Sequence, residues 1–317
     1  MAFRTTFSLP LLLTLLLPFS LEAEELLLSG PAGPLAATLV QPEAVKAAAL
    51  ILPGSGPTDR NGNAPGALAP NSYALLAEAL STKGIASLRA DKRGIGQSGG
   101  DANAVTLDAY AADAAVLAGE LRERSGAPCV WIVGHSEGGL IALRAAPDLG
   151  AVCGLVLLAT PGRPPGEVLR TQISANEANF ALLGATGSLI DRITKGEHIK
   201  LKEIPEPLRG LFHPAVQDYL IDLFAQNPLA LASSIDLPAL VVQGEWDVQI
   251  TALDAERLTQ ALPQGVLAFI PRMTHALKEA ADPSRAAGLQ TYLDPALPLA
   301  PGLAGFIADF MLTGGDP

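Results

Sequence analysis

The 317-residue chain has few cysteines and no excess of basic residues. It contains two cysteines and four histidines, and its 32 Asp and Glu residues outnumber its 21 Lys and Arg residues, giving a formal net charge of −11. It has no lysine or arginine cluster that could neutralise phosphates, so we exclude nucleic acid as a partner. His, Cys, Asp and Glu show no metal-ligand spacing, and we expect neither a metal nor a cofactor.

An uninterrupted apolar run long enough to span a membrane is also missing. The apolar stretch from about Phe7 to Leu21 follows a basic residue, is broken by two prolines and ends before the small Ala23. It is shorter than the roughly 20 residues that a membrane span needs. This pattern is typical of a secretory signal peptide over residues 1–23, with a retained anchor helix as the alternative. We expect an exported protein, periplasmic or extracellular, with no stable membrane span after signal removal.

The two cysteines each open an apolar run, Cys129 in "PCVWIVG" and Cys153 in "VCGLVLL". If these runs are neighbouring parallel strands, the two sulfurs lie near each other at one edge of the sheet, and an oxidising compartment would allow a disulfide. Two buried thiols that act as small apolar groups are the alternative.

Short apolar runs alternate with helical patterns along most of the chain. The stretch "ELLLSGPAGPLAATLVQP" predicts a hairpin that turns at Gly30–Pro34, and the later alternation predicts βαβ units, with Thr106 as the N-cap of one helix. The pattern over residues 162–236 is helical, interrupted by prolines and free of convincing strands. We interpret it as a helical cap inserted into an α/β core formed by residues 24–161 and 237–317.

The stretch "IVGHSEGGLIAL" contains the pattern G-x-S-x-G between a predicted strand and a predicted helix. A very tight turn at this point would place Ser136 in a strained backbone conformation, and larger residues at Gly134 and Gly138 would collide with the neighbouring chain. The turn displays the Ser136 hydroxyl beside a helix N-terminus, which favours negative charge. We therefore interpret Ser136 as a nucleophile.

A serine nucleophile needs an oriented base. His275 follows the last predicted strand and lies at the carboxyl edge of the sheet, where ligand sites gather. We predict His275 as the base. His135 is expected to point away and to pack, while His198 and His213 fall in the predicted cap.

The third member of such a site is a carboxylate that follows the serine and precedes the histidine in the chain. Asp247, just after the strand that follows the predicted cap, meets this order. The rivals are Asp254, expected to face solvent on a helix, Glu245 within the turn, and Asp282 after the base.

Two backbone N–H groups are expected to stabilise the oxyanion of a tetrahedral intermediate. One belongs to Glu137, directly after the serine, and the second to Ser55 in the glycine-rich "PGSGPTDRNGN", with Gly56 as the alternative donor. A phosphate-binding role for this loop is weak because it lacks the lysine and Ser/Thr of a P-loop.

Five motifs occur in order, "LPGSGPTDRNG", "DKRGIGQSGG", "GHSEGGLIAL", "VVQGEWDVQI" and "MTHALK". Together they resemble the α/β-hydrolase superfamily, in particular secreted bacterial esterase-like members of the serine aminopeptidase-like group. The resemblance implies an α/β-hydrolase fold with a mostly parallel, eight-stranded sheet flanked by helices, a helical cap after strand 6, and a triad of Ser136, Asp247 and His275. It also implies that Asp91 and Arg93 brace a turn near the oxyanion loop, with a substrate role for Arg93 as the alternative.

The expected function is a serine hydrolase that cleaves small-molecule carboxylic esters of small or medium acyl groups. An aminopeptidase, amidase or thioesterase of the same fold is the alternative, and a non-catalytic binding protein is more remote. An aminopeptidase needs carboxylates that hold a free amine. The predicted cap offers Glu167, Glu177, Asp191, Glu197, Glu203, Glu206, Asp218 and Asp222.

Overall fold

A single sheet of eight strands forms the centre of the computed structural model, which describes residues 23–315. The strands are β1 (Ala23–Gly30), β2 (Gly33–Val40), β3 (Ala47–Leu52), β4 (Ile85–Ala90), β5 (Val130–His135), β6 (Val152–Leu158), β7 (Ala239–Gly244) and β8 (Gly265–Ile270). Their order in the sheet is β1-β2-β4-β3-β5-β6-β7-β8. β1 and β2 are antiparallel to their neighbours, and β3 to β8 run parallel to one another. The predicted hairpin and the mostly parallel sheet are confirmed.

Eleven α-helices accompany the sheet within the described residues. They are α1 (Ser72–Ser81), α2 (Leu107–Ser125), α3 (Glu137–Ala145), α4 (Pro165–Ser174), α5 (Leu183–Thr194), α6 (Arg209–Phe212), α7 (Gln217–Phe224), α8 (Pro228–Ser233), α9 (Ala252–Ala261), α10 (Arg285–Gln290) and α11 (Leu303–Leu312). The Thr106 hydroxyl accepts a hydrogen bond from the Ala109 N–H, which confirms the predicted N-cap of α2.

Both faces of the central strands β3, β4, β5 and β7 are buried, so these strands are mostly apolar. In β5, Val130 and Ile132 pack on the face that carries α2, α3 and α9, while Trp131 and Val133 pack on the face that carries α1 and α11. Trp131 meets Phe310 of α11 edge to face at 5.5 Å between ring centroids. Two helical layers therefore cover the sheet and fix the carboxyl ends of its strands.

The chain between β6 and β7 contains α4 to α8 and several short 3-10 turns, and no strand. Apolar residues of this stretch, including Ile190, Leu220 and Phe224, are buried in the same cluster as residues of α2 and α3. We call residues 162–236 the helical segment. It packs over the carboxyl end of the sheet near α3.

Cys129 and Cys153 form a disulfide bond, with Cα atoms 5.2 Å apart. They lie where the neighbouring parallel strands β5 and β6 begin, as the paired residues Val130 and Val152 show. The structure thus decides between the two alternatives that the sequence leaves open. The bridge is at the amino edge of the sheet, opposite the edge at which β5 ends and Ser136 follows.

The double variant Cys129→Ser/Cys153→Ser is expected to be less stable than the oxidised protein by about 3 kcal/mol, because the bridge closes a loop of intermediate length in the unfolded chain. Denaturant unfolding of the variant and of the oxidised and reduced wild-type protein measures the difference. Reduced wild type should match the variant. A free energy of unfolding equal in all three would contradict a stabilising bridge.

The predicted signal peptide lies outside the described residues except for Ala23, which begins β1. No helix between residues 23 and 315 combines the length and apolar character that a membrane crossing requires.

Candidate active site

Ser136 stands at a tight turn between β5 and α3. Its backbone has φ 54° and ψ −119°, a conformation that non-glycine residues rarely adopt. The turn is held by a hydrogen bond of 2.8 Å from the Ser136 N–H to the Leu158 carbonyl. A Cβ atom on Gly134 would collide with the Gly138 carbonyl, and one on Gly138 with the Leu52 carbonyl. The surrounding chain therefore requires both glycines, as expected from the pattern.

Asp247 and His275 come together at the same edge of the sheet. His275 Nδ1 donates to Asp247 Oδ2 over 2.7 Å, and the Asp247 side chain is fully buried. The other carboxylate oxygen of Asp247 accepts from the N–H groups of Gln249 and Ile250. These bonds fix the carboxylate. Because a carboxylate can only accept, the bond to Asp247 places a proton on Nδ1 of His275. Nε2 of His275 is therefore the ring nitrogen left for proton transfer.

Ser136 and His275 line the same cavity. Among residues 23–315 no hydrogen bond joins the Ser136 hydroxyl to the imidazole. In unliganded enzymes, hydrogen bonds between catalytic groups are often long and shorten only when substrate binds. The arrangement brings Ser136 to the cavity that is also lined by His275, the residue bonded to Asp247.

The two predicted oxyanion donors border the turn. Glu137 is the first residue of α3, where N–H groups have no intrahelical acceptor. The Ser55 N–H has no acceptor in the described part of the chain, and Gly54 before it packs against the Ser136 Cβ and the His135 ring. Ser55 lines both cavities beside Ser136, whereas Gly56 lines one. The assignment of Ser55 and Glu137 as donors stays a prediction.

His135 does more than pack, contrary to the sequence expectation. Its Nε2 donates to the His275 carbonyl over 2.9 Å, and its Nδ1 accepts from the Tyr73 hydroxyl over 2.7 Å. The Tyr73 oxygen in turn accepts from the Gly54 N–H over 3.0 Å. The buried ring bonds directly to the loop that carries His275 and, through the Tyr73 hydroxyl, to the loop that carries Gly54. His135 thus connects Gly54 to the backbone of His275.

Burial keeps the side chains of His135 and Tyr73 uncharged. It lowers the pKa of His135 well below the ordinary value of histidine, helped by the neighbouring imidazole of His275. Burial likewise raises the pKa of the Tyr73 phenol. Both groups therefore stay neutral. The Tyr73 hydroxyl donates to His135, and Nε2 of His135 donates to the His275 carbonyl.

The Glu137 carboxylate forms a buried ion pair with Lys92 at 2.9 Å. Lys92 also donates to the Gly54 carbonyl over 3.2 Å, and the Tyr219 hydroxyl of α7 donates to Glu137 Oε2. Burial raises the pKa of Glu137, but Lys92 and the hydrogen bonds from Tyr219 and Ser55 outweigh it, and the pKa lies below its ordinary value. Burial lowers the pKa of Lys92, yet Glu137 and Tyr110 raise it above its ordinary value. The pair is therefore ionised, and it joins the turn at Ser136, the loop that carries Gly54 and the helical segment.

The rival histidines and carboxylates lie away from Ser136. His198 bonds to Asp218, and His213 accepts from the Ala215 N–H; both side chains are exposed. The expectation that Asp254 faces solvent is wrong. Its carboxylate is fully buried, and a salt bridge with Arg163 at 2.8 Å and a capping box with Thr251 compensate for the loss of water.

Glu245 and Asp282 are exposed, and Asp282 bonds to the nearby Ser284 N–H. Neither lines a cavity that contains Ser136. Asp247 is thus the carboxylate that the structure pairs with His275.

Asp91 and Arg93 both have structural contacts. Asp91 accepts from the backbone N–H groups of Arg60 and Gln97, whereas Arg93 pairs with Asp113 of α2. Asp91 braces the turn as expected. Arg93 does not share this role, because it contacts α2 instead. Arg93 does not line either cavity beside Ser136.

Ser136 lies where two cavities meet. One, of about 330 Å³, is lined by His275 and by polar residues that include Thr58, Gln249 and Tyr292; we call it the His275-side cavity. The other, of about 470 Å³, lies under the helical segment and contains Glu137 but not His275; we call it the apolar cavity. Its wall includes Leu140, Val168, Leu211, Leu220, Leu223 and Phe224.

The described residues contain no group of three or more His, Cys, Asp and Glu that could hold a metal ion.

Solved structures with this arrangement of strands and helices exist. An esterase of Pyrococcus furiosus superposes with a TM-score of 0.61 over 93% of this chain and 92% of its own, at 16% identity. The chain therefore has the α/β-hydrolase fold. A proline iminopeptidase of Mycobacterium smegmatis with this fold superposes with a TM-score of 0.58 over 93% of this chain and 99% of its own, at 14% identity.

Two sequence comparisons also match this chain. A family model described as serine aminopeptidase, S33, matches residues 70–205. Esterase EstD of Thermotoga maritima is 29% identical over 241 residues, which cover 75% of this chain and 55% of that protein. The chain therefore spans about half the length of this relative.

Sequence reasoning did not find Tyr73, Lys92 or Tyr219. Lys92 stands within the motif "DKRGIGQSGG", so its position was visible, but nothing in the sequence showed that Glu137 would need a buried cation. Tyr73 and Tyr219 lie in ordinary helical patterns, where an aromatic residue is typical of packing.

Proposed function

We propose that this α/β-hydrolase is a serine hydrolase that cleaves carboxylic esters of small or medium acyl groups through an acyl-enzyme on Ser136. The observation that carries the proposal is the hydrogen bond of 2.7 Å between Asp247 and His275, beside a serine displayed on a strained turn. The similarity to Esterase EstD supports an ester substrate. The fold itself hosts many activities and does not choose among them.

The chemistry begins with proton transfer from Ser136 to Nε2 of His275 while the Ser136 oxygen bonds to the ester carbonyl carbon. The carbonyl oxygen becomes an anion, which the N–H groups of Ser55 and Glu137 stabilise. The carbon–oxygen bond to the alcohol then breaks, and His275 gives its proton to the departing alkoxide. Water repeats these steps on the acyl-enzyme and releases the acid. Asp247 orients the imidazole and stabilises its charged form throughout.

Aminopeptidase activity finds no support in the cavities. None of the nine acidic residues of the helical segment lines the two cavities beside Ser136. Glu137 supplies a carboxylate to the apolar cavity, but its charge is engaged by Lys92 and Tyr219. A substrate amine would therefore have to compete with a buried lysine, which favours an ester over a peptide.

Export to a periplasmic or extracellular location belongs to the same proposal. The disulfide between Cys129 and Cys153 supports it, because such bonds persist in oxidising compartments and are rare in the cytosol.

A fluorophosphonate probe tests the nucleophile directly. We expect covalent labelling of the wild-type protein and none of Ser136→Ala, because the probe reacts with a serine activated by a base. Ser174→Ala, which removes an exposed serine of the helical segment, should label like wild type. Mass spectrometry of the labelled protein measures the result. Labelling that persists in Ser136→Ala would exclude Ser136 as the nucleophile.

A further inference from the structure

We infer that the substrate is an ester that joins an apolar, medium-length acyl chain, held in the apolar cavity, to a neutral hydroxylated alcohol, held in the His275-side cavity. This inference rests on the proposed function and specifies both halves of its substrate. It follows from where the catalytic groups stand relative to the two cavities.

The position of His275 fixes which cavity takes the alcohol. The carbon attacked by Ser136 carries an oxyanion, a departing oxygen and the acyl chain, and each must point to a different side of the site. His275 protonates the departing oxygen, so the alcohol lies on its side. His275 lines the cavity of about 330 Å³ and does not line the cavity of about 470 Å³. The acyl chain is therefore left with the latter.

The apolar cavity fits an alkyl chain. Val168 of α4 and Leu220 of α7 are 4% and 7% exposed, and they line it together with Leu140 at the start of α3. The one carboxylate in its lining, Glu137, is already paired with Lys92 and Tyr219. Each buried methylene of an acyl chain adds favourable transfer free energy in such a cavity.

The His275-side cavity keeps unused hydrogen-bonding groups. The Tyr292 oxygen accepts from Gln249 Nε2 over 2.7 Å, but its own hydroxyl proton has no acceptor in residues 23–315. The side-chain oxygen of Gln249 accepts no hydrogen bond within the same residues, although its amide NH₂ group donates to Tyr292. Such groups favour an alcohol with hydroxyls of its own.

No Asp, Glu, Lys or Arg side chain of the described residues lines the His275-side cavity. A charged alcohol would lack a counter-charge there, and burying an unpaired charge is strongly unfavourable. The alcohol is therefore neutral.

Two matched ester pairs test the assignment on the purified protein. The isomers ethyl octanoate and octyl acetate exchange the long chain between acyl and alcohol, and we expect kcat/KM for ethyl octanoate to be larger by about 10- to 100-fold. Propyl octanoate and 2-hydroxyethyl octanoate differ only in the terminal group of the alcohol, which is a methyl in the first and a hydroxyl in the second. We expect the hydroxylated ester to react faster by about 10-fold.

Substitutions connect each preference to its cavity. Leu211→Trp fills the apolar cavity and should lower the ratio of kcat/KM for ethyl octanoate to that for octyl acetate by about 10-fold. Tyr292→Phe, in the His275-side cavity, should bring the ratio of kcat/KM for 2-hydroxyethyl octanoate to that for propyl octanoate close to one. Leu201→Trp enlarges an exposed leucine of the helical segment that lines neither cavity, and it should leave both ratios unchanged. Circular dichroism and thermal unfolding confirm that each variant is folded.

The outcomes separate this inference from the proposed function. Faster cleavage of octyl acetate, or of propyl octanoate, would overturn the assignment of the cavities while leaving a serine esterase in place. Wild-type protein that is not labelled by fluorophosphonate and cleaves none of the four esters would overturn the proposed function as well.

Discussion

Replacing His275 with alanine is expected to lower kcat for ester hydrolysis by about 10⁵- to 10⁶-fold, the order of loss found when serine hydrolases lose the base of a triad. His275 Nε2 is the group that takes the Ser136 proton in the proposed chemistry, and no other imidazole is placed to replace it. His135 uses both ring nitrogens in hydrogen bonds, and His198 and His213 are exposed in the helical segment. Steady-state kinetics with a p-nitrophenyl ester measure the effect.

Asp247 acts through His275, so the two substitutions should not be additive. Asp247→Asn alone is expected to lower kcat by about 10⁴-fold, because the amide favours the wrong tautomer of the imidazole. The double variant His275→Ala/Asp247→Asn should be no slower than His275→Ala by more than about 10-fold. His198→Ala, at an exposed histidine, serves as the control. A His275→Ala variant that keeps a tenth of wild-type kcat would contradict the proposed base.

Replacing Lys92 with methionine is expected to lower the free energy of unfolding by about 3–5 kcal/mol, because it leaves the Glu137 carboxylate buried without its cation. Glu137 and Lys92 are 2% and 7% exposed, so water does not compensate either charge. Urea unfolding at neutral pH measures the loss. Lys83→Met, at an exposed lysine, should change the free energy of unfolding by less than about 0.5 kcal/mol.

The double variant Lys92→Met/Glu137→Gln should recover part of this loss, since it removes both charges together. The ion pair also predicts the pH dependence of stability. The depressed pKa of Glu137 stabilises the native state above the ordinary glutamate pKa, and this contribution is lost as pH falls through the native value. The raised pKa of Lys92 stabilises below the ordinary lysine pKa, and this is lost as pH rises through the native value. A Lys92→Met variant as stable as Lys83→Met would contradict the importance of the pair.

The fold was predictable from the sequence because its signals are local. Glycines at positions 134 and 138 stand where the backbone leaves no room for a side chain, and the apolar runs that become β3, β5 and β6 are bounded by clear turn residues. The positions of Asp247 and His275 followed from the order of strands, because residues just after parallel strands meet at one edge of the sheet.

The supporting contacts were not predictable, because they depend on distances between segments that lie far apart in the chain. Tyr219 reaches Glu137 across 82 positions and Asp254 is buried against Arg163 across 91, and neither contact leaves a pattern in the sequence. The short helix α10 was also not foreseen. It has six residues, too few to show a helical period.

The site holds two imidazoles with ring centroids 4.7 Å apart. In the proposed chemistry only His275 changes its charge, because burial between a phenol and a peptide carbonyl keeps His135 neutral. His135 therefore does not become a second cation that competes with the His275 imidazolium for Asp247.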